Sequence, residues 1–243
     1  MPECWDSGLA RKNLEEMGER GSQMVEAVIF DMDGLMFDTE RVWNDAWPDV
    51  LAKFGLTYRE GLIEACRATA GSVMDERLAQ FYSPDEVDVS LIRKELFSYV
   101  PTLLAKGIDK KPGLDEMLAY LDERGLPRAV ASSSEPATIA RNLRVAGVDA
   151  YFDDDAIVSS SQVARSKPAP DVFLLAAERI GARPSRTLVL EDSFNGIRAG
   201  RAAGFVTVMV PDREQPTKEI LELADACCKD LFEVRDMLVA GSL

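Results

Sequence analysis

The chain has 243 residues, and its 28 basic and 42 acidic side chains give a formal net charge of −14. It contains no histidine, which excludes Ser-His-Asp and Cys-His catalysis and His-ligated metal sites, so that any acid or base must be a carboxylate, Lys, Tyr or Cys. The acidic surplus argues against nucleic acid or an anionic membrane as a partner, and 47% hydrophobic with 29% charged residues is typical of a globular protein.

The first 23 residues mix acidic and basic side chains, and they lack the apolar central segment of a signal peptide. We therefore expect a frayed or helical extension, or a non-native start, over residues 1–23, and a cytoplasmic location. The four cysteines, Cys4, Cys66, Cys227 and Cys228, lack the spacing of a metal knuckle and are expected to be reduced. No apolar run approaches the roughly 18 residues that cross a bilayer, so no membrane partner is expected.

Residues 25–30 form a short β-branched run, which predicts a buried strand. From residue 39 to residue 107 apolar side chains recur at helical spacing and no strand pattern is present. After Pro112-Gly113 the pattern alternates between strands and helices. Strands are predicted at 128–132, 156–159, 187–190 and 205–210, helices at 114–123, 135–146, 171–180 and 195–203, and two shorter helices around 226–229.

This alternation predicts an α/β fold, a Rossmann-like doubly wound parallel sheet with helices on both faces. Residues 24–38 and 108–243 are then the core domain. Residues 39–107 are expected to form an inserted α-helical cap above the carboxyl edge of the sheet.

Asp31-Met32-Asp33-Gly34 follows the first predicted strand, where an open α/β sheet places its chemistry. Gly34 permits a tight exit from the strand, and the two aspartates can share one divalent cation while one attacks and the other moves a proton. Solvated Asp-x-Asp turns are common in acidic chains, so the pair alone is weak evidence. An EF-hand loop is excluded because Met36 stands where that loop requires glycine.

Three further polar groups follow later strands. Ser132 offers a hydroxyl after the second core strand, whereas Ser134 is interpreted as an ordinary helix N-cap ahead of Pro136. Lys167 lies on a loop stiffened by prolines. Glu191 and Asp192 end a wholly apolar strand, where two acids are costly unless a positive group binds them.

The stretches IFDMDGLMFDTE, VASSS, SKPAPDVF and VLEDSFNGIRAG resemble the motifs of the haloacid dehalogenase superfamily. The resemblance is to its branch with a helical cap, typified by phosphoglycolate phosphatase and β-phosphoglucomutase. It runs from residue 25 to nearly the end of the chain, and it is specific for fold and phosphoryl chemistry but not for substrate.

The resemblance implies that Asp31 attacks phosphorus to form an aspartyl-phosphate and that Asp33 is the acid and base. It implies Mg²⁺ between the Asp31 carboxylate, the Asp33 carbonyl and Asp192, with Glu191 as a further participant. An acid at position 33 argues against the dehalogenase and phosphonatase branches.

The transferring phosphate would be bound by Ser132, Ser133 and Lys167. The resulting prediction is a monomeric, Mg²⁺-dependent phosphatase for a small phosphate ester, a sugar or polyol phosphate. Basic cap residues such as Lys53, Arg59, Arg67 and Arg77 are interpreted as solvated helix faces.

Two alternatives stay open at this point. A β-phosphoglucomutase is disfavoured because Glu135-Pro136 replaces the Lys-Asn of the mutases, Trp43 stands at their histidine, and Met74 falls near their cap arginine. A non-catalytic phosphoacceptor of the receiver type is disfavoured because such chains are shorter, and Asp33 and Ser132 would then have no role.

Overall fold

The computed structural model of the protein describes residues 25–67, 69–213 and 215–243. The predicted N-terminal extension and Cys4 lie outside the described residues. The chain divides into two compact units. Thr39–Ile108 is called here the helical unit, and the described part of Met1–Asp38 together with Asp109–Leu243 is called the sheet unit.

The sheet unit is built on parallel strands in the order β3-β2-β1-β4-β5-β6. Their bounds are Ala27–Phe30 (β1), Arg128–Ser132 (β2), Ile157–Ser159 (β3), Thr187–Glu191 (β4), Val206–Met209 (β5) and Ala226–Cys227 (β6). The strand order reverses between β1 and β4, which is where open sheets of this kind bind their ligands. The predicted α/β fold with a doubly wound parallel sheet is confirmed.

Helices cover the sheet, so its central strands are buried throughout. All residues of β1 and β4 are buried, as expected for parallel strands with both faces covered. The aromatic rings of Phe173 and Phe205 meet edge to face in the core cluster that also contains Val189. The α-helices of this unit are Leu114–Glu123, Pro136–Val145, Asp171–Arg179, Phe194–Ala202, Lys218–Leu223 and Leu231–Ala240. Single 3-10 turns occupy Asp149–Tyr151, Asp154–Ala156, Ser160–Gln162 and Pro184–Arg186.

The end of the chain differs from the prediction of two helices around residues 226–229. The two helices lie on either side, and Ala226–Cys227 is itself the edge strand β6. It exists through pairing with β5, which places Ala226 opposite Val208. A strand of two residues has no periodicity of its own, so the local pattern could not reveal it.

The helical unit contains the helices Thr39–Lys53, Leu62–Cys66, Gly71–Leu78 and Val89–Leu104, and no strand among its described residues. Its first and last helices pack through a buried apolar cluster that includes Trp47, Leu51, Ile92 and Leu96. Within the part of the chain that the structure describes, no helix has both the length and the apolar character to cross a membrane.

The two segments that lead to and from the helical unit run side by side within the sheet unit. Phe37 bridges Lys110 in antiparallel fashion, and the amide of Lys111 donates to the carbonyl of Met36 at 2.9 Å. The loop after β5 holds both segments, because Asp212 accepts from the Lys111 ammonium at 2.7 Å and Arg213 donates to Asp38 at 3.2 Å. The described cysteines, Cys66, Cys227 and Cys228, are free thiols.

Candidate active site

The reversal of strand order brings three carboxylates together. Asp31 follows β1, and its amide donates to the carbonyl of Leu190 in β4 at 3.0 Å. Glu191 ends β4, and Asp192 comes next. Asp31, Glu191 and Asp192 each offer an oxygen, and these oxygens all lie within 4.8 Å of one another. Pairing of β1 with β4 therefore joins residues that are 160 positions apart in the chain.

Lys167 enters this cluster from the proline-flanked loop. Its ammonium lies 2.5 Å from Asp31 Oδ1, 2.6 Å from Glu191 Oε1 and 3.0 Å from the carbonyl oxygen of Ala131. Its side chain is 6% exposed and lies above the ring of Phe173, with 4.7 Å from Nζ to the ring centroid. Three acceptors and an aromatic face thus hold one buried cation at the ends of β1, β2 and β4.

The burial of these charges shifts their protonation equilibria. Burial raises the pKa of Asp31 to about 7; Lys167 opposes that rise, and the Glu191 carboxylate adds to it. Burial likewise raises the pKa of Asp192 well above its usual value, with Glu191 and Asp31 as the next causes. Burial alone would lower the pKa of Lys167, but Asp31 and Glu191 outweigh it and raise that pKa, so Lys167 stays protonated.

Glu191 is fully buried and fixed at both of its oxygens. Oε1 accepts from Lys167, whereas Oε2 accepts from the amide and the hydroxyl of Ser193 at 2.9 and 2.8 Å. Ser193 is also the N-cap of the helix Phe194–Ala202, since its hydroxyl accepts from the amide of Gly196 at 3.1 Å. A Cβ at Gly196 would lie 1.8 Å from the Glu191 carboxylate, so a side chain there would displace it.

Gly34 has the role predicted for it and one more. Its φ of +85° is the left-handed conformation that a tight exit from β1 requires. A Cβ at this position would lie 2.2 Å from Asp192 Oδ2. The missing side chain therefore leaves room for the Asp192 carboxylate beside the turn that carries Asp31 and Asp33.

The donor set fits a hard divalent cation. Asp31, Glu191 and Asp192 carry three negative charges when ionised and Lys167 returns one, so the cluster is negative by two. Burial is the first cause of the raised pKa values of Asp31 and Asp192, and the neighbouring carboxylates add to it. Carboxylate oxygens are the ligands that Mg²⁺ prefers, and none of the described residues adds a sulfur or imidazole ligand to this group.

Asp33 lies in the turn after β1, and the serine run lies at the end of the neighbouring strand β2. The half-buried Asp33 carboxylate is not part of the three-carboxylate group; its Oδ2 accepts from the Ser134 hydroxyl at 2.8 Å. Ser132 is buried, and its hydroxyl accepts from the amide of Ser134 at 3.0 Å. Ser133 is exposed.

The interpretation of Ser134 as an N-cap is wrong. The helix begins at Pro136 with Glu135 as its N-cap, which makes no side-chain capping bond. One residue of difference in the helix start turns the Ser134 hydroxyl toward Asp33 instead. The N-cap rule is local, whereas the partner of Ser134 comes from another strand, so the pattern alone could not assign it.

Ser193 and Gly196 were also missed as parts of the site. The only local signal is a serine that follows two acids and precedes a helix. This signal predicts an N-cap correctly and says nothing of Glu191.

In the helical unit, Lys53 pairs with Glu95 and Arg59 pairs with Glu86.

Comparison with known proteins agrees with this geometry. Residues 25–204 match the family model described as haloacid dehalogenase-like hydrolase. Fructose-1-phosphate phosphatase YqaB of Escherichia coli (strain K12) is 37% identical over 186 residues, which cover 75% of this chain and 95% of that protein. Hexitol phosphatase B of the same strain is 30% identical over 222 residues, with 89% and 98% covered.

Among solved structures, a candidate beta-phosphoglucomutase from Thermotoga maritima superposes with a TM-score of 0.77. It is 27% identical, and the match covers 88% of this chain and 99% of that one. The family model spans well over half of the chain and includes every residue of the strand-end cluster. The protein therefore belongs to the haloacid dehalogenase-like hydrolases, as its motifs predict.

Proposed function

We propose that this protein is a Mg²⁺-dependent phosphatase that hydrolyses a small sugar or polyol phosphate through an aspartyl-phosphate on Asp31. The observation that carries the proposal is the buried set of Asp31, Glu191, Asp192 and Lys167 at one edge of the sheet. The enzyme class of this protein is established separately from its metal, its mechanism and its substrate. The family and its phosphatase relatives confirm a phosphoric monoester hydrolase.

Asp31 is the nucleophile in this proposal. Its carboxylate attacks phosphorus, the bond from phosphorus to the ester oxygen breaks, and that oxygen takes a proton from Asp33. In the second half Asp33 takes a proton from water as that water attacks phosphorus. The bond to Asp31 then breaks, and inorganic phosphate and the free carboxylate are restored.

Lys167 and the serine run would bind the phosphoryl oxygens. The raised pKa of Lys167 keeps it cationic, and its contacts with Asp31 and Glu191 fix the ammonium beside the nucleophile. The hydroxyl of Ser132 already accepts from Ser134, so its own proton can be donated to phosphate, and the exposed Ser133 offers a second hydroxyl. Phosphoryl transfer depends on such positioning and charge stabilisation.

Asp31, the Asp33 carbonyl and Asp192 would hold Mg²⁺, with Glu191 as a further participant that also anchors Lys167. When bound, Mg²⁺ would neutralise charge on the transferring phosphoryl group. The proposed cap role of residues 39–107 is to exclude water during transfer. The monomeric state and the cytoplasmic location stay predictions.

The substrate class rests on the relatives. Two of them are named for fructose 1-phosphate and for hexitol phosphates, which are small polyhydroxylated phosphate esters. The decisive experiment is a phosphate-release screen over sugar, polyol, nucleotide and glycolate phosphates, with Mg²⁺ and with chelator. Fastest release from a sugar or polyol phosphate, lost in chelator, is the expected result. Mg²⁺ binding without release from any ester would instead favour a phosphoacceptor.

A phosphosugar mutase is the second candidate, favoured by the structural match to a candidate beta-phosphoglucomutase. A mutase must hold a second phosphate, and the exposed Glu135 beside the serine run would repel it. Incubation with β-glucose 1-phosphate and a bisphosphate primer separates the two. We expect hydrolysis, and efficient formation of glucose 6-phosphate would overturn the hydrolase proposal.

A further inference from the structure

We propose that Ser134 is a positioning residue that orients Asp33 for proton transfer. This assignment rests on the proposed function, in which Asp33 protonates the leaving oxygen and later deprotonates water. The geometric basis is the 2.8 Å hydrogen bond from the Ser134 hydroxyl to Asp33 Oδ2. It links the end of β2 to the end of β1, and no motif assigns it.

Ser134 is itself held on two further sides. Its amide donates to the hydroxyl of Ser132 at 3.0 Å, and its carbonyl accepts from the hydroxyl of Ser159 at 2.7 Å. Ser132 and Ser159 are both buried and lie opposite each other where β2 pairs with β3. Because two strands fix the backbone of Ser134 on both sides, its hydroxyl starts from a fixed position and can orient a partner.

Ser159 is in turn held by hydrogen bonds from the turn that follows β3. The Ser159 hydroxyl also contacts the hydroxyl of Ser161 at 2.8 Å and accepts from its amide at 3.1 Å. The amide of Ser159 donates to the side chain of Gln162 at 2.9 Å. The turn after β3 thus fixes Ser159, Ser159 fixes Ser134, and Ser134 contacts Asp33.

The hydrogen bond distinguishes the two oxygens of Asp33. Oδ2 accepts from Ser134, and in this proposal Oδ1 is the atom that gives and takes the transferred proton. When the phosphorus–oxygen bond breaks, that proton passes from Oδ1 to the leaving oxygen, and the same atom later receives a proton from water. Ser134 keeps its own proton throughout and acts only through Asp33.

The test compares two substrates whose leaving groups differ in their need for a proton. A sugar oxygen is a poor leaving group that needs a proton, whereas the nitrophenolate of p-nitrophenyl phosphate leaves without one. We would measure kcat and KM with Mg²⁺ for Ser134→Ala, for Ser134→Thr and for the control Ser98→Ala. The exposed hydroxyl of Ser98 donates to the carbonyl of Glu95 in its own helix. The substrates are p-nitrophenyl phosphate and fructose 1-phosphate, or whichever sugar phosphate of the screen is hydrolysed fastest.

We expect Ser134→Ala to lower kcat for the sugar phosphate about 10- to 100-fold, with KM within about threefold and a much smaller loss on p-nitrophenyl phosphate. Ser134→Thr, which keeps the hydroxyl, should restore most of the activity. An equal loss on both substrates, an unchanged kcat or a raised kcat would overturn the assignment alone. A wild-type enzyme that hydrolyses neither ester would overturn the proposed function and the assignment with it.

Discussion

Two lysines, one in each unit, form ion pairs in opposite surroundings. Lys53 of the helical unit is 47% exposed; it meets one carboxylate, Glu95, at 2.6 Å, and lies over the ring of Tyr99. Lys167 of the sheet unit is buried between Asp31 and Glu191. Exposed pairs contribute roughly 0–1 kcal/mol, whereas a buried charge is costly unless several partners hold it.

Two other cations of the helical unit, like Lys53, are paired with one carboxylate each. Arg59 pairs with Glu86 and stacks over Tyr82, and Arg93 meets Asp75 with both ends of its guanidinium. Each of these ion pairs joins one cation to one carboxylate. Ion pairs by themselves therefore do not mark a site; the convergence of several buried charges at strand ends does.

Replacing each lysine by a neutral residue tests whether the difference in burial between Lys167 and Lys53 matters for activity. Lys167→Met should lower kcat/KM about 100- to 1,000-fold, because it removes a fixed cation from the phosphoryl oxygens. It also leaves Asp31 and Glu191 buried without their shared partner. Steady-state phosphate release with saturating Mg²⁺ measures the loss.

Lys53→Met is the matched control. Because Lys53 is exposed and paired on the surface of the helical unit, we expect kcat/KM within about threefold of the wild type. Equal losses in the two variants would show that the contrast between buried and exposed lysines has no bearing on activity.

The sequence predicts the chemistry of the site better than its contacts. Asp31 and Glu191 could be placed at strand ends because the strands before them are apolar and buried on both faces, and that pattern is local. The three acceptors of Lys167 come from three separate strands and have no local signature.

Ser134 and β6 are two features that the sequence-based prediction missed, because contacts between distant parts of the chain decide them. The N-cap rule for Ser134 fails by one residue, and Asp33, which lies 101 positions away, then becomes its partner. The edge strand Ala226–Cys227 depends on pairing with β5. Features decided by long-range pairing were missed, whereas features decided by local periodicity were found.

A second test repeats the contrast with two adjacent lysines. The carboxylate of Asp212, 6% exposed, pairs with Lys111, whereas that of Asp115, 57% exposed, pairs with Lys110. Lys111→Met should lower the free energy of unfolding by about 1–3 kcal/mol, since it leaves a buried carboxylate without its closest partner. Lys110→Met should cost less than about 1 kcal/mol.

Urea denaturation of both variants checks this prediction. Arg213 lies 3.5 Å from the other oxygen of Asp212, so the loss is expected to stay below that of a fully orphaned charge. If Lys110→Met proves as destabilising as Lys111→Met, burial of the carboxylate does not decide the strength of these pairs.

The contrast between buried and exposed groups also predicts how Mg²⁺ binding depends on pH. Hydrogen bonds from Ser83 and Arg59 lower the pKa of the exposed Glu86, whereas burial raises the pKa of Asp31 to about 7. Below about pH 7 Asp31 must therefore lose a proton when Mg²⁺ binds, so Mg²⁺ affinity should fall as pH falls through 7. The expected slope is about tenfold per pH unit for each proton displaced.

Calorimetric titration of Mg²⁺ at pH 8 and pH 6 measures that slope. Asp31→Asn should make the dependence shallower, because the amide has no proton to displace, and Asp192, whose pKa burial also raises, should account for the remainder. Equal affinities at the two pH values would contradict the excess of buried negative charge described for the site.

The central claim, that Asp31 at the switch between β1 and β4 is the nucleophile, is tested most directly by phosphate release from fructose 1-phosphate with Mg²⁺. Asp31→Asn and Asp31→Ala should each lower kcat at least about 10,000-fold. Asp45→Asn, at an exposed aspartate that pairs with Arg41 one helical turn away, should keep wild-type activity. Mg²⁺-dependent phosphatase activity that survives intact in both Asp31 variants would contradict the account.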